Sequence, residues 1–125
     1  MAAFLHDDVL DNGLAYADAN GGRIDICSQQ PATYTEATST YTLGNKTPPS
    51  IGVPENGAVS GRRVIIAAIT DGSVTGTNTA THWALSKTTA TTALLATTTL
   101  SASQAVTSGN TFTLDAISIT IPDPA

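Results

Sequence analysis

The half of the chain that follows Arg62 is a succession of short apolar or alternating segments, separated by turn residues at intervals of about 8–12 residues. The clearest is the last, where three isoleucines between Ile117 and Ile121 alternate strictly with Ser118 and Thr120. Strict alternation places the isoleucines on one face of a strand. The sequence therefore predicts a mainly β fold: an antiparallel β-sandwich or small barrel of about seven or eight strands, with one short N-terminal helix.

Within this half, the most apolar run, 63–70, is predicted to be a central strand, with Asp71-Gly72 as the hairpin turn after it. The remaining strands are predicted over 73–77, 80–86, 93–97, 111–114 and 117–121. The whole chain, 1–125, is predicted to be a single β domain, because its length suits one hydrophobic core.

The first part of the chain has a different pattern. Residues 1–21 are predicted to form the N-terminal helical segment, because apolar residues recur there at helical spacing. Asp7 or Asp8 would cap its start, and Gly21 with its neighbour Gly22 would end it in a left-handed turn. Strands are predicted over 23–27 and, more weakly, over 38–43.

Residues 46–61 are predicted to be a Pro/Gly-rich arm or long loop. Three prolines in this segment have no N–H to donate to a strand ladder. The segment also carries two apolar residues, Ile51 and Val53, with no obvious partner to bury them. An arm of this kind could contact another chain, or it could cover the open end of its own sandwich.

The chain has few charged residues, and its net charge is negative. Five Lys/Arg against ten Asp/Glu give a net charge of −5, and only 12% of residues are charged. An ordinary domain has about 25% charged residues. A nucleic-acid partner is excluded, because the few basic residues are scattered. The 22 threonines suit strands and extensive contact with other chains, or alternatively the neutral surface of an extracellular β-domain.

No targeting or membrane segment is expected. No stretch approaches the roughly 20 apolar residues that span a bilayer. The start of the chain, from Met1 to Asp8, lacks the basic and apolar regions of a secretory signal. We therefore expect no membrane partner.

The sequence contains no constellation typical of an active site, so we predict that the chain is not an enzyme and has no catalytic residue, cofactor or metal. His6 and His82 lie in different predicted elements, and Cys27 alone cannot form a thiolate zinc cluster. His82 beside Trp83 could grip a sugar ring, but Trp83 shares an apolar face with Leu85 and is better interpreted as a core anchor.

Three smaller features receive structural interpretations. The acidic cluster around Asp8 is interpreted as helix capping rather than a calcium site. Arg62-Arg63 is interpreted as a strand-edge charge or an inter-subunit salt bridge rather than a phosphate site. Cys27 is interpreted as a buried small apolar group.

The order of several segments resembles a known class of proteins. The segments are Ile24-Asp25-Ile26-Cys27, Ala80-Thr81-His82-Trp83-Ala84-Leu85, Leu94-Leu95-Ala96-Thr97 and Val106-Thr107-Ser108-Gly109-Asn110-Thr111. Over residues 22–122 this series resembles small structural proteins of tailed bacteriophages and prophages, which serve as head decoration (cement) proteins or are associated with tails. The resemblance implies a virion component assembled in the host cytoplasm.

Two functions follow from this resemblance. The first is a capsid decoration protein that binds the outer shell, bridges subunits of the major capsid protein or other virion proteins, and associates with copies of itself, expected as a trimer. The second is a tail or fibre module with a receptor- or glycan-binding β-domain. For either function, the expected partner interface consists of Phe4, Leu5, Pro48, Pro49, Ile51, Val53 and Pro54.

Overall fold

The computed structural model describes residues 4–5, 13–59 and 61–121. In this part of the chain the structure is mainly β, with one α-helix, α1 (Leu14–Asn20), and one π-helix (Glu36–Thr40). Ten strands are present in the described ranges. They are β1 (Phe4–Leu5), β2 (Arg23–Cys27), β3 (Thr42–Lys46), β4 (Glu55–Asn56), β5 (Arg62–Ile66), β6 (Ile69–Val74), β7 (Asn78–Lys87), β8 (Ala93–Val106), β9 (Thr111–Leu114) and β10 (Ile117–Ile121).

The strands form two antiparallel sheets. The larger has the order β1-β8-β7-β2-β3-β6-β9, and the smaller has the order β10-β5-β4. The larger sheet curls: β8 and β9 are not neighbours in its order, yet Gln104 Nε2 on β8 donates a hydrogen bond of 2.6 Å to the carbonyl oxygen of Thr113 on β9. The predicted mainly β, antiparallel fold is confirmed, as a small β-sandwich or half-barrel with one short helix.

One hydrophobic cluster joins both sheets and the helix. The helix contributes Leu14 and Ala17, which are buried because they lie on the face of α1 that points to the core. The alternating residues of β2 contribute Ile24 and Ile26, as predicted. The other large buried members are Leu43, Val64, Ile66, Ile69, Val74, Trp83, Leu85, Leu95, Val106, Phe112, Leu114 and Ile119. The prediction that Trp83 is a core anchor is therefore confirmed.

A smaller cluster forms a second buried layer. It joins Cys27 of β2, Ala84 of β7 and Leu94 of β8 to Ala37 of the π-helix, with Tyr41 packed against it. The strands β2 and β7 therefore have buried side chains on both faces, which explains why Asp25 and His82 are buried as well. No helix of the described part is long and apolar enough to cross a bilayer.

The helix differs from the prediction in its extent and its ending. It begins at Leu14, directly after Gly13, while the predicted caps Asp7 and Asp8 lie outside the described residues. Gly21 is not left-handed, since its φ is −71°. Its glycine is needed for packing instead: a Cβ there would lie 2.7 Å from both the Ala17 carbonyl oxygen and the Cδ1 of Ile51.

The predicted strand 38–43 is wrong over most of its length. Residues 36–40 form the π-helix, and the strand β3 begins only at Thr42. Side chains of this segment bond to the local backbone: the Thr38 hydroxyl donates to the Tyr34 carbonyl at 2.8 Å, and the Glu36 N–H donates to the Thr33 hydroxyl at 3.1 Å. Such local bonds compete with the strand ladder and outweigh the β-propensity of threonine.

The predicted central strand 63–70 is in fact two strands in different sheets. The chain leaves the small sheet after Ile66 and enters the large sheet at Ile69. Asp71-Gly72 is not a hairpin turn but lies within β6. Gly72 is paired with Phe112 of β9, and a Cβ on Gly72 would collide with the Phe112 ring. This glycine is therefore required by an aromatic ring across the strand pair.

The strand predicted over 93–97 is much longer than expected. It continues to Val106 because it pairs with β7 on both sides of an irregularity. The two final predicted strands, 111–114 and 117–121, are confirmed with the same bounds. Ile119 is buried and the isoleucines on either side of it in the alternation are half-buried, as the pattern predicts.

The contact between Gly72 and Phe112 gives a stability prediction. Gly72→Ala is expected to lower the free energy of unfolding by about 1–3 kcal/mol, because the added methyl group overpacks a closed site. Gly52→Ala is the matched control, since its Cβ would meet only the Ile65 carbonyl oxygen at 3.7 Å and should be tolerated. Urea unfolding measures both variants. Equal stability of Gly72→Ala and the parent would contradict the packing described here.

Candidate functional site

The segment 46–61, called the arm from here on, is bound along strand β5. The Ala67 N–H donates to the Ser50 carbonyl at 2.8 Å, and the Gly52 N–H donates to the Ile65 carbonyl at 2.9 Å. Ile51 forms an isolated antiparallel bridge with Ile66. The arm then pairs again as β4, whose residues Glu55 and Asn56 lie opposite Arg63 and Arg62. The arm is therefore an integral edge of the smaller sheet rather than a free extension.

Two of the residues predicted at the partner interface are covered, fully or in part, by other residues of the same chain. Ile51 is half-buried and packs against the main core, with its Cδ1 close to Gly21 at the end of α1. Pro49 is buried. The expectation that Ile51 lacks a partner within the chain is therefore wrong, because the end of α1 and strand β5 lie against it. The assignment of Pro49 to a partner surface stays a prediction.

The remaining predicted residues of the arm are more accessible. Pro48 is exposed and follows a cis peptide bond, and Pro54 is half-buried, with its carbonyl accepting a hydrogen bond from Arg62. The Val53 side chain is 73% exposed. Val59, in the turn between β4 and β5, is 99% exposed and was not predicted. Within the described residues, these two valines are the exposed large hydrophobics.

The charged residues of the arm make their contacts within the chain. Arg63 Nη2 lies 3.2 Å from Glu55 Oε2, and Arg62 Nη1 donates to Asn56 Oδ1 at 2.8 Å. The Arg62-Arg63 pair is thus a set of cross-strand contacts between β5 and β4. The alternative interpretation, an inter-subunit salt bridge, is not needed to explain it. These contacts hold the backbone on either side of Val53 and Val59.

Phe4 and Leu5 lie on a different sheet from the arm. They form β1, which pairs with Thr97 and Ala96 of β8 at the edge of the larger sheet. Their side chains are outside the described part of the structure. The structure therefore does not bring the seven predicted interface residues together on one sheet: two lie at the edge of the larger sheet and five lie in the arm.

A polar cluster lies between β2, β3 and the π-helix. Both guanidinium nitrogens of Arg23 that face Asp25 lie 2.8 Å from its carboxylate oxygens, and the Thr42 hydroxyl donates to Asp25 Oδ2 at 2.6 Å. Arg23 also donates to the Thr38 carbonyl at 3.3 Å. Burial raises the pKa of Asp25, while its bonds to Arg23 and Thr42 act in the opposite direction. The cluster fastens the π-helix to the sheet and is structural.

His82 is buried and has one hydrogen-bond partner. Its Nδ1 lies 2.8 Å from the Thr81 hydroxyl, while its Nε2 has no partner among the described residues. Burial lowers the pKa of this imidazole below its ordinary value. Trp83 points into the opposite layer, so His82 and Trp83 do not form a common surface. The structural interpretation of this pair accounts for both residues.

Cys27 is fully buried, with its Sγ 3.6 Å from the Ala37 carbonyl oxygen. Burial raises the pKa of this thiol to about 12. The prediction of a buried small apolar group is confirmed. In the described ranges, no three His, Cys, Asp or Glu side chains are grouped so that they could hold a metal ion. His6 and the acidic residues around Asp8 lie outside those ranges.

Comparison of the chain with protein-family models, with curated proteins and with solved structures finds no match. The exposed valines of the arm, Val53 and Val59, are the candidate site for binding a partner.

The buried His82 gives a prediction for the pH dependence of stability. Because its pKa is lowered in the folded state, the unfolded chain takes up a proton first as the pH falls through the ordinary value of 6.5. Its contribution to stability is present above pH 6.5 and is lost as the pH falls from there through the lowered pKa. His82→Gln, which cannot titrate, is expected to reduce this loss in urea unfolding between pH 7 and pH 5.

Two comparisons isolate the effect of His82. Asp25 has the opposite sign, because a raised carboxyl pKa makes stability fall as the pH rises above 3.8. The parent and the variant must therefore be compared at the same pH, where the Asp25 contribution cancels. His6→Gln is the control for the second histidine. A parent and His82→Gln variant with parallel stability profiles would contradict the lowered pKa.

Proposed function

We propose that this chain is a structural virion protein of a tailed phage: a capsid decoration protein that binds the outer shell and bridges neighbouring capsid subunits. The phage assignment is supported by the sequence resemblance, whose last three segments lie on β7, on β8 and at the turn from β8 to β9. The partner-binding assignment is supported by one observation in particular: Val53 and Val59 are 73% and 99% exposed on a single segment.

The geometry of the arm favours binding of a folded partner. Backbone bonds to β5 and cross-strand contacts of both arginines hold the arm in place, so little conformational entropy would be lost when it docks. Burial of a valine side chain contributes about 1.5 kcal/mol or more to association. Repetition of this modest contact over a symmetric shell multiplies its effect through a high effective concentration.

Association with copies of itself belongs to the same proposal. A closed ring presents the same arm to several capsid subunits at once, and cyclic symmetry is common in assemblies of identical chains. We propose a trimer. Sedimentation of the purified chain and of the chain released from shells would give its mass in both states.

The decisive variant is Val53→Ser/Val59→Ser, which removes the exposed apolar groups and leaves the backbone contacts of the arm intact. Binding of the purified chain to phage shells that lack it is expected to weaken by about tenfold or more, because the lost burial of a single valine already corresponds to that factor. The matched control is Ala68→Ser/Ala105→Ser, which adds two hydroxyls at exposed positions outside the arm and should bind like the parent.

Three results would contradict the proposal. Equal binding of the valine variant and the parent would show that the arm is not the interface. Electron cryomicroscopy of particles that carry a labelled chain would show the label at hundreds of shell positions for a decoration protein. A label confined to a few tail positions would favour the tail or fibre module, and unlabelled particles would exclude both.

A further inference from the structure

A cavity lies between strand β8 and the connection from β9 to β10. Its volume is about 450 Å³, within the range of roughly 300–1,000 Å³ that small-molecule sites occupy. Ser101 and Ala102 of β8 and Asp115 and Ala116 of the connection are exposed on opposite sides of it, so it is open to solvent. Trp83 also lines the cavity. This space is far in sequence from the arm, and shell binding does not account for it.

The cavity exists because of an irregularity in β8. Ala80 of β7 is paired with Gln104, while His82 is paired with Thr99. One residue of β7 therefore faces a stretch of four residues, 100–103, which cannot follow the ladder and must leave it. Such bulges bend a strand and redirect its side chains, and they are frequent beside binding sites. Here the displaced stretch forms one wall of the cavity.

The opposite wall is the passage of the chain between the two sheets. The strand β9 ends at Leu114 in the larger sheet and β10 begins at Ile117 in the smaller one. Only Asp115 and Ala116 connect them. The hydrogen bond from Gln104 Nε2 to the Thr113 carbonyl ties the two walls together at 2.6 Å. A direct hydrogen bond therefore fixes the two walls of the cavity relative to each other.

The chemistry of the lining selects a class of ligand. The apolar part is formed by Leu100, Leu114, Ile117 and a narrow strip of Trp83, whose side chain is only 5% exposed. The polar part consists of hydroxyls, the Gln104 amide and the Asp115 carboxylate. Asp115 is the charged group among the described lining residues, so an anionic ligand would be repelled. A ligand that carries both hydroxyl groups and apolar C–H faces would suit the polar and the apolar parts of the lining.

We propose that this cavity binds a neutral saccharide unit. The Asp115 carboxylate accepts hydrogen bonds from sugar hydroxyls, and the hydroxyls of Thr99 and Ser101 complete the polar contacts. The apolar face of the sugar ring packs on Leu100 and Ile117, with Trp83 beneath. This site is independent of the proposed shell binding, since none of its residues belongs to the arm. On a shell, many copies of the chain would bind saccharides at the same time. A weak affinity at each cavity would then add up to strong attachment of the whole particle.

Trp83 makes the test direct, because it is the single tryptophan of the chain. Its fluorescence is recorded during titration of the purified parent with glucose, galactose, mannose, N-acetylglucosamine and N-acetylgalactosamine up to high millimolar concentration. At least one of these sugars is expected to change the emission in a saturable way. No saturable change with any of them, or a change produced only by a simple amine such as butylamine, would overturn the proposal.

Two variants locate the binding. Ala102→Leu adds bulk at an exposed wall position and is expected to abolish the fluorescence change. Asp115→Asn keeps the shape of the side chain and removes its charge, so the affinity should fall by about fivefold or more. Asp71→Asn is the matched control, because it removes an exposed carboxylate outside the cavity and should bind like the parent.

The remaining measurements separate this proposal from the shell-binding one. Circular dichroism checks that the variants are folded, and the Val53→Ser/Val59→Ser variant should keep full sugar binding. Sugar binding that survives both Ala102→Leu and Asp115→Asn would place the ligand elsewhere and overturn the assignment. Loss of shell binding without loss of sugar binding, or the reverse, would show which of the two proposals fails.

Discussion

One constraint organises this protein: a single continuous segment, from Arg62 to Val74, supplies buried side chains to two different sheets. Val64 and Ile66 enter the core from the smaller sheet, and Ile69 and Val74 enter it from the larger one. The crossing at Ala67 is held by its N–H, which donates to the Ser50 carbonyl. Because both sheets share this run, the arm, the helix end and the core are parts of one packing arrangement.

The sequence predicts the strands whose residues alternate regularly, and it fails where local side-chain bonds or contacts with distant residues decide the structure. Strict alternation in β10 and in β2 identifies strands with the correct bounds, because side chains on one face of a strand recur every two residues. The threonines after Tyr34 have strand propensity, but the Thr38 hydroxyl donates back to the Tyr34 carbonyl, and residues 36–40 form a π-helix. The sequence around Gly72 is typical of a turn, but the glycine is required because the Phe112 ring from another strand leaves no space for a Cβ.

The same division applies to the candidate sites. Val53 has no obvious partner in the sequence, and its side chain is exposed in the structure. Ile51 also has no obvious partner in the sequence, but it is covered in the structure, because α1 and β5 lie against it. Val59 carries no signal beyond being an apolar residue in a turn. The cavity beside Trp83 arises from a register shift between β7 and β8, and no property of either strand alone indicates that shift.

The irregularity in β8 also has a consequence for how such a protein can diversify. The ladder resumes on either side of it, where Ala80 pairs with Gln104 and His82 pairs with Thr99. Residues gained or lost between 100 and 103 would alter the outline of the opening without shifting either flank. Evolution could therefore change the shape of the opening while both sheets and the arm remain as they are.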